Sequence, residues 1–216
     1  MSPAALKPYK TLMKRADDEF IVNKSRFIGH AKPVETEEEA LAFLAEMREK
    51  YADASHSCYA YIVGPNMGIM RYSDDGEPGG TAGMPIIEVM KARGVTNCCV
   101  VVTRYFGGIL LGAGGLVRAY SQGAAIAVNA AGVGVMHPTA RYLMDVPYPM
   151  LNRVEYHLKS EPVVVEDKAF AEAVTLTVLV RCADEEGFVA RMVNVSEGQI
   201  EPVRFDEMYR AWKEEE

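Results

Sequence analysis

The 216-residue sequence predicts an α+β protein built from two domains, 1–138 and 139–216. Three observations carry that prediction. Residues 100–120, Val-Val-Val-Thr-Arg-Tyr-Phe-Gly-Gly-Ile-Leu-Leu-Gly-Ala-Gly-Gly-Leu-Val-Arg-Ala-Tyr, read as a buried strand running into a glycine-rich loop that opens a helix. Thr36 and Glu39 form a Thr-x-x-Glu capping box ahead of Ala40, Leu44, Met47 and Tyr51 at helical spacing. Beyond His137-Pro138 the segments alternate as strand, helix, strand, strand, helix, strand.

Taken in order, Glu19 to Val34 is strand-like, with Phe20, Val22 and Ile28 for burial and Lys24 and Arg26 on one alternating face. The capping-box helix follows, with Glu37 and Glu38 at its positive end and Arg48 and Lys50 at its negative end. Cys58 to Val63 and Ile69 to Ser73 read as a hairpin around Gly64-Pro65-Asn66-Met67-Gly68, with Tyr59 and Tyr61 on one face. Pro85 to Arg93 is a short helix with Gly94 beyond it, and Asn97 to Phe106 a strand rich in β-branched residues. Gly114 to Ala131 is a helix whose Gly123, Ala124, Ala127 and Ala131 permit close packing on a sheet; Gly132 and Gly134 end it. In the second domain the expected elements are Arg141 to Val146, Met150 to Lys159, Val163 to Glu166, Val174 to Cys182, Asp184 to Asn194 and Gln199 to Phe205. That βαββαβ order is the ferredoxin-like plan. Lys213 to Glu216 are expected to fray.

Net charge is −7, but the first domain is charge-balanced and the second carries the whole acidic excess. This weakens nucleic-acid binding as a reading without closing it, since arginines cluster locally in the first domain. The four cysteines form no Cys-x-x-Cys pair, and Cys98 and Cys99 point to opposite faces of a strand, as reduced thiols of a cytoplasmic protein would. Scattered histidines (His30, His56, His137, His157) argue against zinc. Met1 to Lys14 has no apolar run of signal-peptide length, and the one long uncharged stretch, Ala119 to Ala140, contains too many polar residues and helix breakers for a membrane span.

Two segments bear chemistry. The loop Ser73-Asp74-Asp75-Gly76-Glu77-Pro78-Gly79-Gly80-Thr81-Ala82-Gly83 gathers three carboxylates among glycines. It reads as a weak Mg²⁺ or base site, or as a polar turn whose aspartates cap backbone groups and pair with Arg104 or Arg118. Gly107-Gly108 with Gly112-Ala113-Gly114-Gly115 matches neither a Walker loop nor the dinucleotide fingerprint. Glycines at a helix N-terminus flanked by Arg104 and Arg118 suggest an anion site; tight turning and packing is the structural alternative. His56 is read as structural or titrating, and the Tyr59/Tyr61 face as a stacking surface or an amphipathic sheet.

The motifs Lys24-Ser25-Arg26-Phe27-Ile28, Ala54-Ser55-His56-Ser57-Cys58-Tyr59-Ala60-Tyr61, Asp74-Asp75-Gly76-Glu77-Pro78 with Gly80-Thr81-Ala82-Gly83, and Arg104 to Tyr120, in this order, resemble the IMPACT/YigZ family. The resemblance covers about residues 10 to 135; Gly79 stands where the family usually has serine. It implies a ribosomal protein S5 domain 2-like first domain. The ferredoxin-like second domain is similar to the one found in bacterial members and to domain V of elongation factor G. No counterpart of the eukaryotic RWD domain is expected, so its partner contacts are not carried over.

The eukaryotic relatives regulate translation in the amino-acid-starvation stress response. The resemblance therefore implies a cytoplasmic translation-associated binding protein contacting RNA or the ribosome, with no membrane and no catalytic residue assigned. The expected ligand-binding set is Lys24, Arg26, His56, Tyr59, Asp74, Asp75, Glu77, Thr81, Arg104, Tyr105, Gly107, Gly108, Gly114 and Arg118. Arg104 and Arg118 would contact phosphate, Lys24 and Arg26 extend the basic surface, and Tyr59 or Tyr61 stack. No cofactor is expected. The alternatives are an Mg²⁺-dependent enzyme acting on a phosphorylated small molecule or nucleotide, and a protein-interaction module whose acidic second domain docks a basic partner.

Overall fold

The computed structural model describes residues 8–213, so Lys213 alone of the residues expected to fray lies within it. The elements are β1 (Tyr9–Leu12), β2 (Ala16–Val22), β3 (Ser25–Pro33), α1 (Glu37–Lys50), β4 (His56–Val63), β5 (Ile69–Ser73), α2 (Gly83–Arg93), β6 (Cys98–Tyr105), α3 (Gly112–Ala131), β7 (Val133–Val146), α4 (Tyr148–Leu158), β8 (Val163–Phe170), β9 (Val174–Arg181), α5 (Glu185–Val195) and β10 (Val203–Trp212). They form a mixed α/β structure of two sheets and five helices. Two compact units divide between Met136 and His137, and Ala211 to Lys213 group with the first.

In the first unit an antiparallel sheet runs β2-β3-β6-β4-β5. Its central strand β6 is apolar without interruption because both faces are covered. Cys98, Val100 and Val102 join the core formed with α2 and α3, whereas Cys99 and Val101 join Phe43, Leu44 and Met47 of α1. The two adjacent cysteines do face opposite sides. Thr36 caps α1 by accepting the Glu39 N–H (3.2 Å), while the Glu39 carboxylate accepts from Glu35 N–H rather than from the cap residue. Close packing of α3 on β3 depends on small residues: a Cβ on Gly29 would lie 2.1 Å from the Gly123 carbonyl oxygen.

Glu19 to Val34 is a hairpin rather than one strand. Asn23 and Lys24 both take positive φ (47° and 63°), which makes a two-residue turn between β2 and β3. Lys24 therefore sits in the turn and does not share a strand face with Arg26. The sequence signal was weak because neither turn residue is glycine.

In the second unit the sheet order is β8-β9-β7-β10, with β7–β9 and β8–β9 antiparallel. Val154 and Leu158 of α4 and Phe188 and Met192 of α5 pack with Tyr142, Met144, Leu176 and Val178. Several boundaries differ from expectation, among them the end of β10, which runs on to Trp212 instead of stopping at Phe205. β7 starts at Val133 and passes through Pro138 unbroken. Its first residues pair with β1 up to Met136 and its later ones with β9 from Thr139, so Pro138 falls between these two registers. β8 runs on to Phe170 past a bulge at Val165/Asp167, held by ladder bonds along a sheet edge instead of by burial. β10 begins at Val203, because Ser196 Oγ accepts the Ile200 N–H and a left-handed Gly198 prolongs the helix exit. No helix among the described residues is long and apolar enough to cross a membrane.

Candidate functional site

His56, opening β4, stands opposite Arg104 on β6, and strand alternation turns both toward the α2/α3 side of the sheet. The loop between β5 and α2 folds over them, organised by its own aspartates. Asp74 accepts the N–H groups of Ala82 (3.0 Å) and Gly83 (2.8 Å) on Oδ1 and of Gly80 (2.8 Å) on Oδ2. It thereby caps α2 from nine residues upstream, since the cap position itself is Ala82. Burial alone would raise the Asp74 pKa, but the three N–H donors outweigh it and hold the carboxyl below the usual carboxylate range. Asp75, at φ 44°, accepts the Ser57 N–H (2.7 Å) and pairs with Arg48 (2.7 Å). Its carbonyl accepts the His56 Nδ1–H (2.8 Å), which fixes Nδ1 as a donor and orients the ring.

Glu77 is the hub. Its Oε1 accepts from Arg104 Nη1 (2.6 Å) and from the Tyr120 hydroxyl (2.7 Å), with His56 Nε2 at 3.9 Å. The Glu77 and Arg104 side chains are 4% and 6% exposed, so this ion pair is held out of water. The Arg104 guanidinium also lies between the Phe27 and Phe106 rings, 5.5 and 5.3 Å from their centroids. Burial raises the Tyr120 pKa far above its ordinary value, and burial pushes the neighbouring Cys58 thiol up to about 12. Tyr120 is thus a fixed donor, and Cys58 is a thiol donating to the Asp74 carbonyl rather than a nucleophile.

The glycine loop closes the other side. Gly107 runs against the β2–β3 turn, where a Cβ would lie 2.0 Å from the Lys24 carbonyl carbon; its N–H donates to Ser25 Oγ (3.1 Å). Helix α3 opens at Gly112 with no side-chain cap and no acidic residue in its first turn. Arg118 is exposed, with no ion pair among the described residues, and its Nη1 lies 3.8 Å from where a Gly114 Cβ would be. A cation thus folds back on a helix end that is already electropositive. Between this helix end, Ser55, His56, Glu77, Arg104 and Phe106 lies an open cleft of about 470 Å³.

The expected residues therefore separate into groups. His56, Glu77 and Arg104 line the cleft, and Arg118 and Gly114 stand at the opening turn of α3. Arg104 is engaged by Glu77 instead of free for an external phosphate. Asp74 and Asp75, with Thr81 bonded to the Pro78 carbonyl (2.6 Å), shape the loop. Gly107 and Gly108 (φ 82°) shape the turn after β6. Lys24, Arg26, Tyr59 and Tyr105 do not join them. Arg26 pairs with Glu19 and lies over Tyr105, whose hydroxyl bonds Asp53. Tyr59 stacks on Tyr61 at the face covered by α1.

Tyr120 and Phe106 were missed. A tyrosine on the buried stripe of a helix needs a partner for its hydroxyl, and that requirement was the available signal for Tyr120. Among the described residues no three His, Cys, Asp or Glu side chains are grouped to hold a metal ion.

Comparison with known proteins places these residues. The Impact N-terminal domain model matches residues 23–128, the whole of the cleft, and a domain of unknown function, DUF1949, matches 144–199. The chain is 36% identical over 200 residues to IMPACT family member YvyE of Bacillus subtilis, covering 90% of this chain and 89% of that one. The chain belongs to the IMPACT family. Another member, YigZ of Escherichia coli, is 33% identical over 86% of this chain and 92% of its own. Protein IMPACT of Mus musculus is 37% identical over 41% of this chain and 29% of its own length. A solved structure titled as that of a hypothetical protein superposes with a TM-score of 0.58 at 31% identity, covering 92% of this chain and 98% of that one.

Proposed function

We propose that this IMPACT family member is a cytoplasmic, translation-associated regulatory protein whose first unit binds RNA in the setting of the ribosome, without catalytic turnover. One observation carries the reading: α3 opens uncapped and without acidic residues, Arg118 is folded against that end, and an open cleft lies beside it. Free helix N–H groups, the helix dipole and a guanidinium all favour the same occupant, an anion such as phosphate. Arg104 then serves from within, holding Glu77 and Phe106 in the cleft wall. Sheet order and element order support reading the first unit as ribosomal protein S5 domain 2-like and the second as ferredoxin-like, the pair found in domains IV and V of elongation factor G.

Ribosome co-sedimentation across a salt series tests the proposal. Binding is expected to weaken with salt, and Arg118→Ala to lower both affinity and salt slope, the latter by about 0.7–0.9 for one phosphate contact. Binding absent at low salt, or unchanged in Arg118→Ala, refutes it.

A further inference from the structure

We infer that the cleft is a pocket for a single nucleoside monophosphate moiety, either free or as the terminal nucleotide of single-stranded RNA. This narrows, and rests on, the RNA-binding reading above. Three features of the cleft point to the three parts of such a ligand. The anionic part meets the opening turn of α3, where Gly112 and Ala113 line the cleft and the Arg118 guanidinium lies against Gly114. The flat part meets Phe106, which remains 47% exposed and is backed by the Arg104 guanidinium; an aromatic face accepts any base.

The third feature is the polar wall. Glu77 is nine-tenths buried, and both its hydrogen bonds fall on Oε1; Oε2 accepts none among the described residues. Arg104 spends only Nη1 in hydrogen bonding, and Nη2 donates none among the described residues. Glu77 lines the cleft with Oε2 unclaimed by any donor among the described residues, so it can accept an N–H from a ligand. An open acceptor beside an open donor, on two side chains that line the cleft, complements the N–H and C=O pattern of a nucleobase edge. At about 470 Å³ the cleft falls in the range of small-molecule pockets and takes one nucleotide, not a duplex.

The test is titration of the full chain by calorimetry and ³¹P resonance with mononucleotides, matching nucleosides and inorganic phosphate. RNA pentamers with and without a terminal phosphate are measured by anisotropy. Mononucleotides are expected to bind at least about tenfold tighter than either fragment. Arg118→Ala should abolish the advantage over the nucleoside, and Phe106→Ala should weaken nucleotide and nucleoside alike; both residues are exposed, so both variants should fold. If phosphorylated pentamers bind about tenfold tighter than mononucleotides, the natural ligand is an RNA end; equal binding identifies the free nucleotide. Mononucleotide binding without any RNA binding upholds the pocket and refutes the RNA reading. Pentamers that bind equally with and without the phosphate, and that mononucleotides do not displace, refute the pocket and leave the RNA reading standing. Inorganic phosphate binding as tightly as nucleotide also refutes the pocket.

Discussion

Replacing Glu77 is the sharpest test of how the cleft is held together. Its carboxylate and the Arg104 guanidinium are 4% and 6% exposed and 2.6 Å apart, so neither charge has water to fall back on. An exposed pair is worth about 0–1 kcal/mol, whereas removing one partner of a buried pair costs about 3–5 kcal/mol because the other is left uncompensated. Glu77→Gln keeps the shape and an acceptor for the Tyr120 hydroxyl, so its expected cost is near the lower end, about 3 kcal/mol. Glu77→Ala also strands that hydroxyl, which adds about 1–3 kcal/mol. In a cycle with Arg104→Met, each single variant strands the partner and the double variant strands neither. The double should therefore be less destabilised than the sum by more than about 2 kcal/mol.

Urea unfolding followed by circular dichroism reads these differences. Because the chain has two units, hydrogen exchange at β4 and β6 amides assigns the transition to the first. A loss below about 1 kcal/mol for Glu77→Gln, or an additive cycle, refutes the claim that a desolvated ion pair organises the cleft.

Three further outcomes follow from the same geometry. Gly107→Ala places a Cβ 2.0 Å from Lys24 backbone, which cannot yield as a side-chain tip would; thermal unfolding should show a loss above about 2 kcal/mol. Asp74 has a lowered native pKa, so its contribution is present above the ordinary carboxylate value near pH 4 and fades as pH falls through the native value. Asp74→Asn should cost about 1–3 kcal/mol at pH 7 and flatten the stability profile below pH 4, as read by urea midpoints across pH. With burial pushing Cys58 and Cys98 up to about 12 and Cys99 higher still, a thiol reagent should label the native protein slowly and at Cys182 only, and all four cysteines after denaturation.

Much of the fold was legible in the sequence because its signals are local. The Thr36 cap, the Gly94 stop (αL, φ 67°) and the β-branched run of β6 each act within one element. Errors arose where an element answers to a distant one. Lys24 was placed on a strand because a turn of Asn23-Lys24 has no glycine signature. Pro138 read as a break because nothing local shows that β1 and β9 pair on either side of it.

The site divides along the same line. From residue types and spacing alone came a glycine-rich helix opening with arginines and a carboxylate-bearing loop nearby, because glycine tolerance and charge are properties of the residues themselves. Only the tertiary structure assigned the partners. Glu77 claims Arg104 across 27 positions and Tyr120 across 43, Asp75 takes Arg48, and Arg118 alone of the two flanking arginines is left facing outward. Which cation is spent inside and which stays available depends on where the sheet and α3 bring the chain together, and desolvation there makes the inner pairing strong.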